Sequence, residues 1–196
     1  MRVKLVTLVA ALLPLAGGML LGGHARSADP TSPAGLWQTI DDDTKQPTGW
    51  FLIGNHDGVY DGIIAKMFLK PGENPNVVCD QCTDDRHGHS WLGLEIIRGM
   101  AQESADKYGG GTILDPRDGK IYHATMKLSP DGQTLIVRGY IGFSLLGENQ
   151  YWTRLPDSDM SQLDPSVNPN AAAAAPANKP PAARKPAPAV PAATAH

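Results

Sequence analysis

The densest group of chemically reactive side chains is Cys79-x-x-Cys82, followed by His87 and His89. Three interpretations compete for this group. The two cysteines could form a structural disulfide, or two thiolates and two imidazoles could hold a zinc or copper ion. The third interpretation is a reactive redox dithiol, which needs a thiolate stabilised by nearby positive charge.

The surroundings of the two cysteines rank these interpretations. Acidic residues at positions 80, 84 and 85 disfavour a thiolate, which argues against a redox dithiol. The two histidines are closer together in the sequence than zinc ligands usually are. In an oxidising compartment, a chain with only these two cysteines is expected to form the Cys79–Cys82 disulfide. Such a short loop would stabilise the protein by about 2 kcal/mol.

The N-terminal residues predict an oxidising compartment. Arg2 and Lys4 precede an uncharged, mostly apolar stretch over residues 5–21, and small residues follow it. These features are typical of a secretory signal peptide, so we expect cleavage at the end of residues 1–27. The apolar stretch is short for a membrane span, which disfavours an uncleaved anchor. We therefore expect a periplasmic or secreted protein that is not stably inserted in a membrane.

The charge composition argues against partners that would bind by electrostatic attraction to a basic surface. The chain has a formal net charge of -3, and removal of residues 1–27 leaves 14 basic and 20 acidic side chains, a net charge of -6. No basic cluster occurs before the C-terminal tail. An acidic protein of this kind is not expected to bind nucleic acid or to bind anionic lipid electrostatically.

No catalytic site is evident in the sequence. A triad built on His123 would need Ser90 or Ser144 nearby, and nothing in the sequence places them together. The chain has neither a nucleophile elbow nor a glycine-rich phosphate loop that opens a helix. We expect no cofactor, and the sequence offers no positive evidence for an enzyme.

Strand patterns dominate residues 34–155, which we expect to be the folded domain after a short linker at 28–33. Short alternating or β-branched runs are separated by turn sequences such as Asn55-His56-Asp57-Gly58 and Ser129-Pro130-Asp131-Gly132. The segment Leu94–Arg98 also fits a helix, but Gly93 and Gly99 favour a strand. Seven or eight such strands with no long helix predict a mainly β, single antiparallel meander, and closure into a barrel would hide its edges.

The two ends of this domain could meet to close the barrel. Trp37 lies on the first predicted strand and Arg154 on the last, so the guanidinium could stack on the indole. A Gly-x-Trp opening sealed by a basic residue resembles the calycin superfamily, which comprises the lipocalins and their relatives.

Several blocks resemble a bacterial family known only as domain of unknown function 2147. They occur in order from Ala34 to Leu155: GLW at 35–37, VCDQC at 78–82, GTILDP at 111–116, GKIY at 119–122, RGYIG at 138–142 and WTR at 152–154. The resemblance implies a secreted or periplasmic, lipocalin-like β-protein, and it carries no activity or catalytic residue. The family's segment after the second cysteine is polar and basic, so His87 and His89 depart from it.

The residues from Pro156 onwards differ in composition from the domain. The 41 residues at 156–196 contain nine of the 17 prolines and no aromatic residue. Such a segment cannot bury enough apolar surface to offset its chain entropy. We therefore expect a disordered tail over residues 156–196.

A closed barrel suggests a binding function. We expect a small, apolar or amphipathic ligand, with Trp50, Tyr60 and Tyr140 as candidate aromatic walls and Arg138 as a fork for a carboxylate. Alternation along the strand instead favours an outward Arg138, because Leu135 and Val137 occupy the other face. A barrel filled by its own side chains, serving an envelope structural or interaction role, is the alternative, and metal binding at the Cys/His loop is another.

Overall fold

The computed structural model describes residues 31–41 and 43–170 of the chain. These residues form eight antiparallel strands, each paired with the next along the sequence. The strands are β1 (Gly35–Ile40), β2 (Pro47–His56), β3 (Val59–Met67), β4 (Glu95–Gln102), β5 (Lys107–Asp115), β6 (Lys120–Leu128), β7 (Thr134–Tyr140) and β8 (Glu148–Arg154). The predicted meander, including a strand rather than a helix at β4, is confirmed.

Pairing between β1 and β8 closes the sheet into a barrel. Trp37 lies opposite Arg154, and Gln38 lies opposite Thr153. Each described strand then has a neighbour on both sides, although β1 and β8 pair over only two residue pairs.

The predicted hairpin turns lie together at one end of the barrel. Between β2 and β3, Asp57 and Gly58 adopt positive φ values of 53° and 88°, and the Gly58 amide donates to Asn55 Oδ1 at 2.9 Å. Between β6 and β7, the Gly132 amide donates to the Ser129 carbonyl. These tight connections match the right-handed twist of the strands that they join.

Alternation along the strands divides the apolar residues into two groups. The interior contains the larger cluster, with Trp37, Ile53, Met100, Val137 and Trp152 among its fully buried members. Their sequence neighbours point outward, since successive side chains of a strand face opposite sides of the sheet.

A second cluster lies on the outer face of β1–β3. Leu36, Trp50 and Ala65 are buried there together with Leu163, which follows a 3₁₀ helix at Asp157–Gln162. The expectation of disorder from Pro156 onwards is therefore corrected for residues 156–170. The average composition of the tail predicts no buried core. A few apolar side chains near its start nevertheless pack on the apolar outer face of the strands.

The remaining predictions about the two termini concern residues outside the described ranges. These are the signal peptide at residues 1–27 and the tail beyond residue 170. Of the expected linker, residues 31–33 are described, and Pro33 is fully buried. Within the described residues, no helix has the length and apolar character needed to cross a membrane.

Candidate functional site

The end of the barrel that contains the hairpin turns is sealed by Arg154. Its guanidinium lies 4.2 Å from the centre of the Trp37 ring, as the closure prediction requires. The same group donates to three backbone carbonyls, those of Ser32 at 2.6 Å, Ala34 at 2.8 Å and Gly132 at 2.6 Å. One side chain therefore ties the start of the domain, its last strand and the β6–β7 turn together.

The opposite end of the barrel holds an open cavity of about 1470 Å³. It lies where β1, β3, β5 and β7 end and the other four strands begin. Apolar side chains from six strands line it, namely Phe51, Ile64, Ile96, Ile113, Val137 and Trp152. Small-molecule sites in proteins are concave and mostly apolar, and this cavity is large enough for such a ligand.

Two stacked aromatic rings form part of the cavity wall. The rings of Phe51 and Trp152 lie 4.4 Å apart at an angle of 20°. Trp152 is almost completely buried, at 1% exposure, whereas Phe51 is only partly buried. The Phe51 ring, supported from behind by Trp152, therefore offers a flat apolar surface to any molecule that occupies the cavity.

Gln150 places an oriented amide beside this aromatic pair. Its Oε1 accepts a hydrogen bond of 3.1 Å from Trp152 Nε1, which fixes the direction of the amide. Gln150 lines the cavity and is solvent-exposed. The two N–H donors of its Nε2 remain for water or a ligand, since the oxygen is the atom engaged by Trp152.

Charged side chains lie at the cavity mouth. Asp115 accepts two hydrogen bonds from Arg117, which hold the pKa of the Asp115 carboxyl below its usual value. Glu148 and Lys45 also line the mouth. The cavity is therefore apolar within and polar at its opening, which suits an amphipathic molecule.

The residues predicted to form a ligand wall are not brought together. Tyr140 lines the cavity, but Trp50 is buried in the outer cluster, and its Nε1 donates to Gln38 Oε1 at 3.0 Å. Tyr60 is interior but packs edge-on against Tyr108 at 5.0 Å, away from the cavity lining.

Arg138 is also absent from the cavity lining and lies on the outer face. It donates through Nε to the Ser144 carbonyl at 2.6 Å and through Nη1 to Asn149 Oδ1 at 2.7 Å. It is therefore not placed to act as a carboxylate fork in the lumen, and it braces the β7–β8 connection instead. Alternation with Leu135 and Val137 contained the signal for this outward placement.

Sequence reasoning missed Phe51 and Gln150. Each shares a strand face with a recognisable core residue, Ile53 and Trp152 respectively. The period of two along a strand could have identified both as inward-facing.

The loop between β3 and β4 carries the cysteines. Cys79 and Cys82 form a disulfide, so their sulfur atoms are not thiolate ligands. His87 Nδ1 lies 2.9 Å from the Cys82 carbonyl oxygen and helps to fold the loop. Among the described residues, no group of three or more His, Cys, Asp or Glu side chains is arranged to hold a metal ion. The alternative metal site at these cysteines with His87 and His89 is therefore not assembled.

Ion pairs hold this loop against β4. Arg98 on β4 makes two hydrogen bonds of 2.8 Å to the Asp85 carboxylate, which lower the pKa of Asp85 to about 2. Arg86, which is 2% exposed, bonds to Asp84 and to the Glu95 carbonyl. The loop is thus fixed beside the cavity, where Trp91 from its far end contributes to the lining.

Comparison with solved structures reveals one similar fold. The chain is similar to protein HP1028 from the human pathogen Helicobacter pylori, which is described as belonging to the lipocalin family. The TM-score is 0.58 at 17% sequence identity, and the match covers 68% of this chain and 91% of that chain. At this identity the likeness shows the fold alone. No curated protein matches the chain.

A family model covers almost the whole barrel. The model described as "Uncharacterized protein conserved in bacteria (DUF2147)" matches residues 35–154, which is more than half of the chain. The resemblance identified from the sequence blocks is therefore confirmed, and the protein belongs to the DUF2147 family of bacterial proteins, with a lipocalin-like barrel.

Proposed function

We propose that this protein binds a small, partly apolar molecule in the open cavity of its barrel, in the bacterial cell envelope after export. The observation that carries the proposal is the stacked Phe51–Trp152 pair beside the oriented amide of Gln150. An apolar ligand body would lie against the Phe51 ring, and a hydrogen-bond acceptor on the ligand would meet Gln150 Nε2. The ligand class is therefore an apolar molecule that carries one acceptor such as a carbonyl.

The envelope location has separate support. The disulfide between Cys79 and Cys82 suits an oxidising compartment, and the N-terminal residues read as an export signal. Apolar molecules in an aqueous compartment need a carrier that hides them from water, which a barrel with one sealed end provides.

A matched pair of probes tests the ligand class. We would titrate the protein with 2-acetylnaphthalene and with 2-isopropylnaphthalene, which share a shape but differ in the carbonyl acceptor. Protein-detected NMR should show both probes shifting resonances of cavity residues such as Ile113 and Val137, with the ketone bound more tightly. If neither probe shifts cavity resonances, the binding proposal is wrong.

One conservative variant measures how much the N–H donors of the Gln150 amide contribute to ligand affinity. Gln150→Glu keeps an oxygen to accept from Trp152 Nε1 but removes both N–H donors. Its affinity for the ketone should fall by about five- to tenfold, whereas its affinity for the hydrocarbon should stay within about twofold. Lys127→Trp, on an exposed position of β6 that does not line the cavity, serves as a control and should bind both probes normally. Equal losses for both probes would show that Gln150 supports the cavity shape rather than ligand recognition.

A further inference from the structure

The connection between β7 and β8 is an exposed apolar loop at the cavity mouth. Residues 141–147, which form this connection, contain no charged side chain. Phe143 is 79% exposed, Leu145 89% and Leu146 79%, although each is a large hydrophobic residue. Exposed apolar side chains clustered in this way mark a surface that contacts an apolar partner.

The other loops at the same end are charged. The β1–β2 connection contains Asp41, Asp43 and Lys45, and the β5–β6 turn contains Arg117 and Asp118. Phe68 and Leu69, at the start of the β3–β4 connection, are also apolar but only 37% and 40% exposed. The most exposed apolar side chains at the mouth are therefore those of the β7–β8 connection. This connection is continuous with the cavity, because Ile141 and Leu146 also line that cavity.

Part of the loop backbone is hydrogen-bonded, namely two of its amides and the two carbonyl groups that accept from them. A 3₁₀ turn at Ser144–Leu146 gives hydrogen bonds from the Leu146 amide to the Phe143 carbonyl and from the Gly147 amide to the Ser144 carbonyl. The Ser144 carbonyl also accepts from Arg138 Nε. These peptide groups are thus partnered within the loop, which reduces the cost of removing them from water.

Arg138 also fixes the direction in which the loop projects. Its two hydrogen bonds, to Ser144 and to Asn149, tie the loop to the outer face of β7 and β8. A Cβ at Gly147 would come within 2.4 Å of the Gly139 carbonyl oxygen, so the chain turns back close to β7. These contacts therefore hold the loop in a conformation in which Phe143 and Leu145 are exposed.

We propose that this loop inserts into the surface of a lipid bilayer and docks the barrel with its mouth towards the membrane. A stable protein interface needs roughly 20–30 residues a side, far more than this seven-residue loop offers. A few large apolar side chains are enough for reversible interfacial binding to lipid. The docking goes beyond the proposed ligand binding and does not depend on it.

The proposed membrane binding arises from apolar contacts, so its affinity should depend little on salt concentration. Without residues 1–27 the protein has a net charge of -6, so attraction to an anionic surface does not drive it. Binding to phosphatidylcholine vesicles should therefore be at least as strong as binding to vesicles of phosphatidylethanolamine mixed with phosphatidylglycerol. It should also change little when the salt concentration is raised.

Vesicle flotation of the protein purified after export, without residues 1–27, tests the proposal. Leu145→Asp should weaken binding to both vesicle types by at least about tenfold, and adding Phe143→Asp should abolish it. The matched control is Val59→Asp, on an exposed apolar residue at the sealed end of the barrel, which should bind vesicles like the unaltered protein. None of these three positions lines the cavity, so 2-acetylnaphthalene binding should be unchanged in all of them.

Three outcomes would overturn the proposal. The first is an unaltered protein that does not float with either vesicle type. The second is flotation that Leu145→Asp leaves unchanged or that added salt abolishes. The third is a dimer in analytical ultracentrifugation that Leu145→Asp dissociates without any vesicle binding, which would make a second copy of the chain the occupant of this loop. Loss of ketone binding in Gln150→Glu with normal flotation would separate the two proposals.

Discussion

The two ends of the barrel differ in how they use their side chains. At the sealed end, one arginine and one tryptophan link the first and last strands, and the connections are short turns. At the open end, the connections carry a disulfide, ion pairs and an apolar loop around a cavity of about 1470 Å³. The difference indicates that the sealed end joins the first and last strands, whereas the connections of the open end provide the surface that a ligand or partner would contact.

The largest expected effect concerns the sealed end. Arg154→Ala should lower the free energy of unfolding by roughly 2–4 kcal/mol, because three carbonyl groups lose a charged donor and the Trp37 face loses its cation. Arg138→Ala, at the open end, should cost only about 1 kcal/mol, since both of its hydrogen bonds are exposed. Urea unfolding of the two variants measures the contrast. Equal losses would show that the two ends contribute alike.

A pair of glycines compares the two ends at the level of backbone packing. Gly119, in the β5–β6 turn, has φ of +72°, and an added Cβ would lie 1.9 Å from the Gln81 carbonyl oxygen of the disulfide loop. Gly58, in the β2–β3 turn, has φ of +88° with nothing within 4 Å. Gly58→Ala should therefore cost about 1 kcal/mol from strain alone, and Gly119→Ala about 2 kcal/mol more from the clash.

Urea unfolding also measures the difference in the free energy of unfolding between the two glycine variants. If Gly119→Ala proved no worse than Gly58→Ala, the disulfide loop would not pack tightly on the β5–β6 turn. Hydrogen exchange should also speed up in residues 77–92 of Gly119→Ala and remain unchanged there in Gly58→Ala.

The smallest expected effect is electrostatic. The pKa of Asp85 is lowered to about 2, chiefly by its hydrogen bonds to Arg98, from an ordinary value of 3.8. A carboxyl whose pKa is depressed on folding stabilises the protein above its unfolded pKa, and this contribution disappears as the pH falls from about 4 to about 2. NMR titration should place the Asp85 pKa near 2, and Asp85→Asn should flatten the loss of stability in that pH window. A titration near 3.8 would show that the Arg98 contact is not maintained in solution.

The strands and their order could be predicted because the turn residues and the period of two are local properties of the sequence. The closure by Trp37 and Arg154 was accessible for the same reason, since each lies at a fixed place on the first or last strand. The direction of the Trp50 side chain could not be predicted, because strand register decides which side of a strand is interior. The ladder between β2 and β3 shifts register between Trp50 and Phe51, and the outer partner of Trp50 lies far along the chain.

The inward direction of Gln150 and the outward direction of Arg138 could be predicted, because each follows from alternation with a recognisable core residue on the same strand. Their hydrogen-bond partners could not. The bond from Trp152 Nε1 that orients the Gln150 amide depends on side-chain geometry, and the bonds of Arg138 to Ser144 and Asn149 depend on the three-dimensional path of residues 141–147.

Residues 156–163 pack on the outer face of β1–β3, and this contact affects where the packed structure ends. The family match ends at Arg154, yet Leu163 packs on Leu36 and Trp50. A chain shortened to the matched residues would expose the Trp50 indole and its neighbours as an apolar patch on the outside of the barrel. The packed structure therefore extends on its C-terminal side beyond the residues that the family match covers.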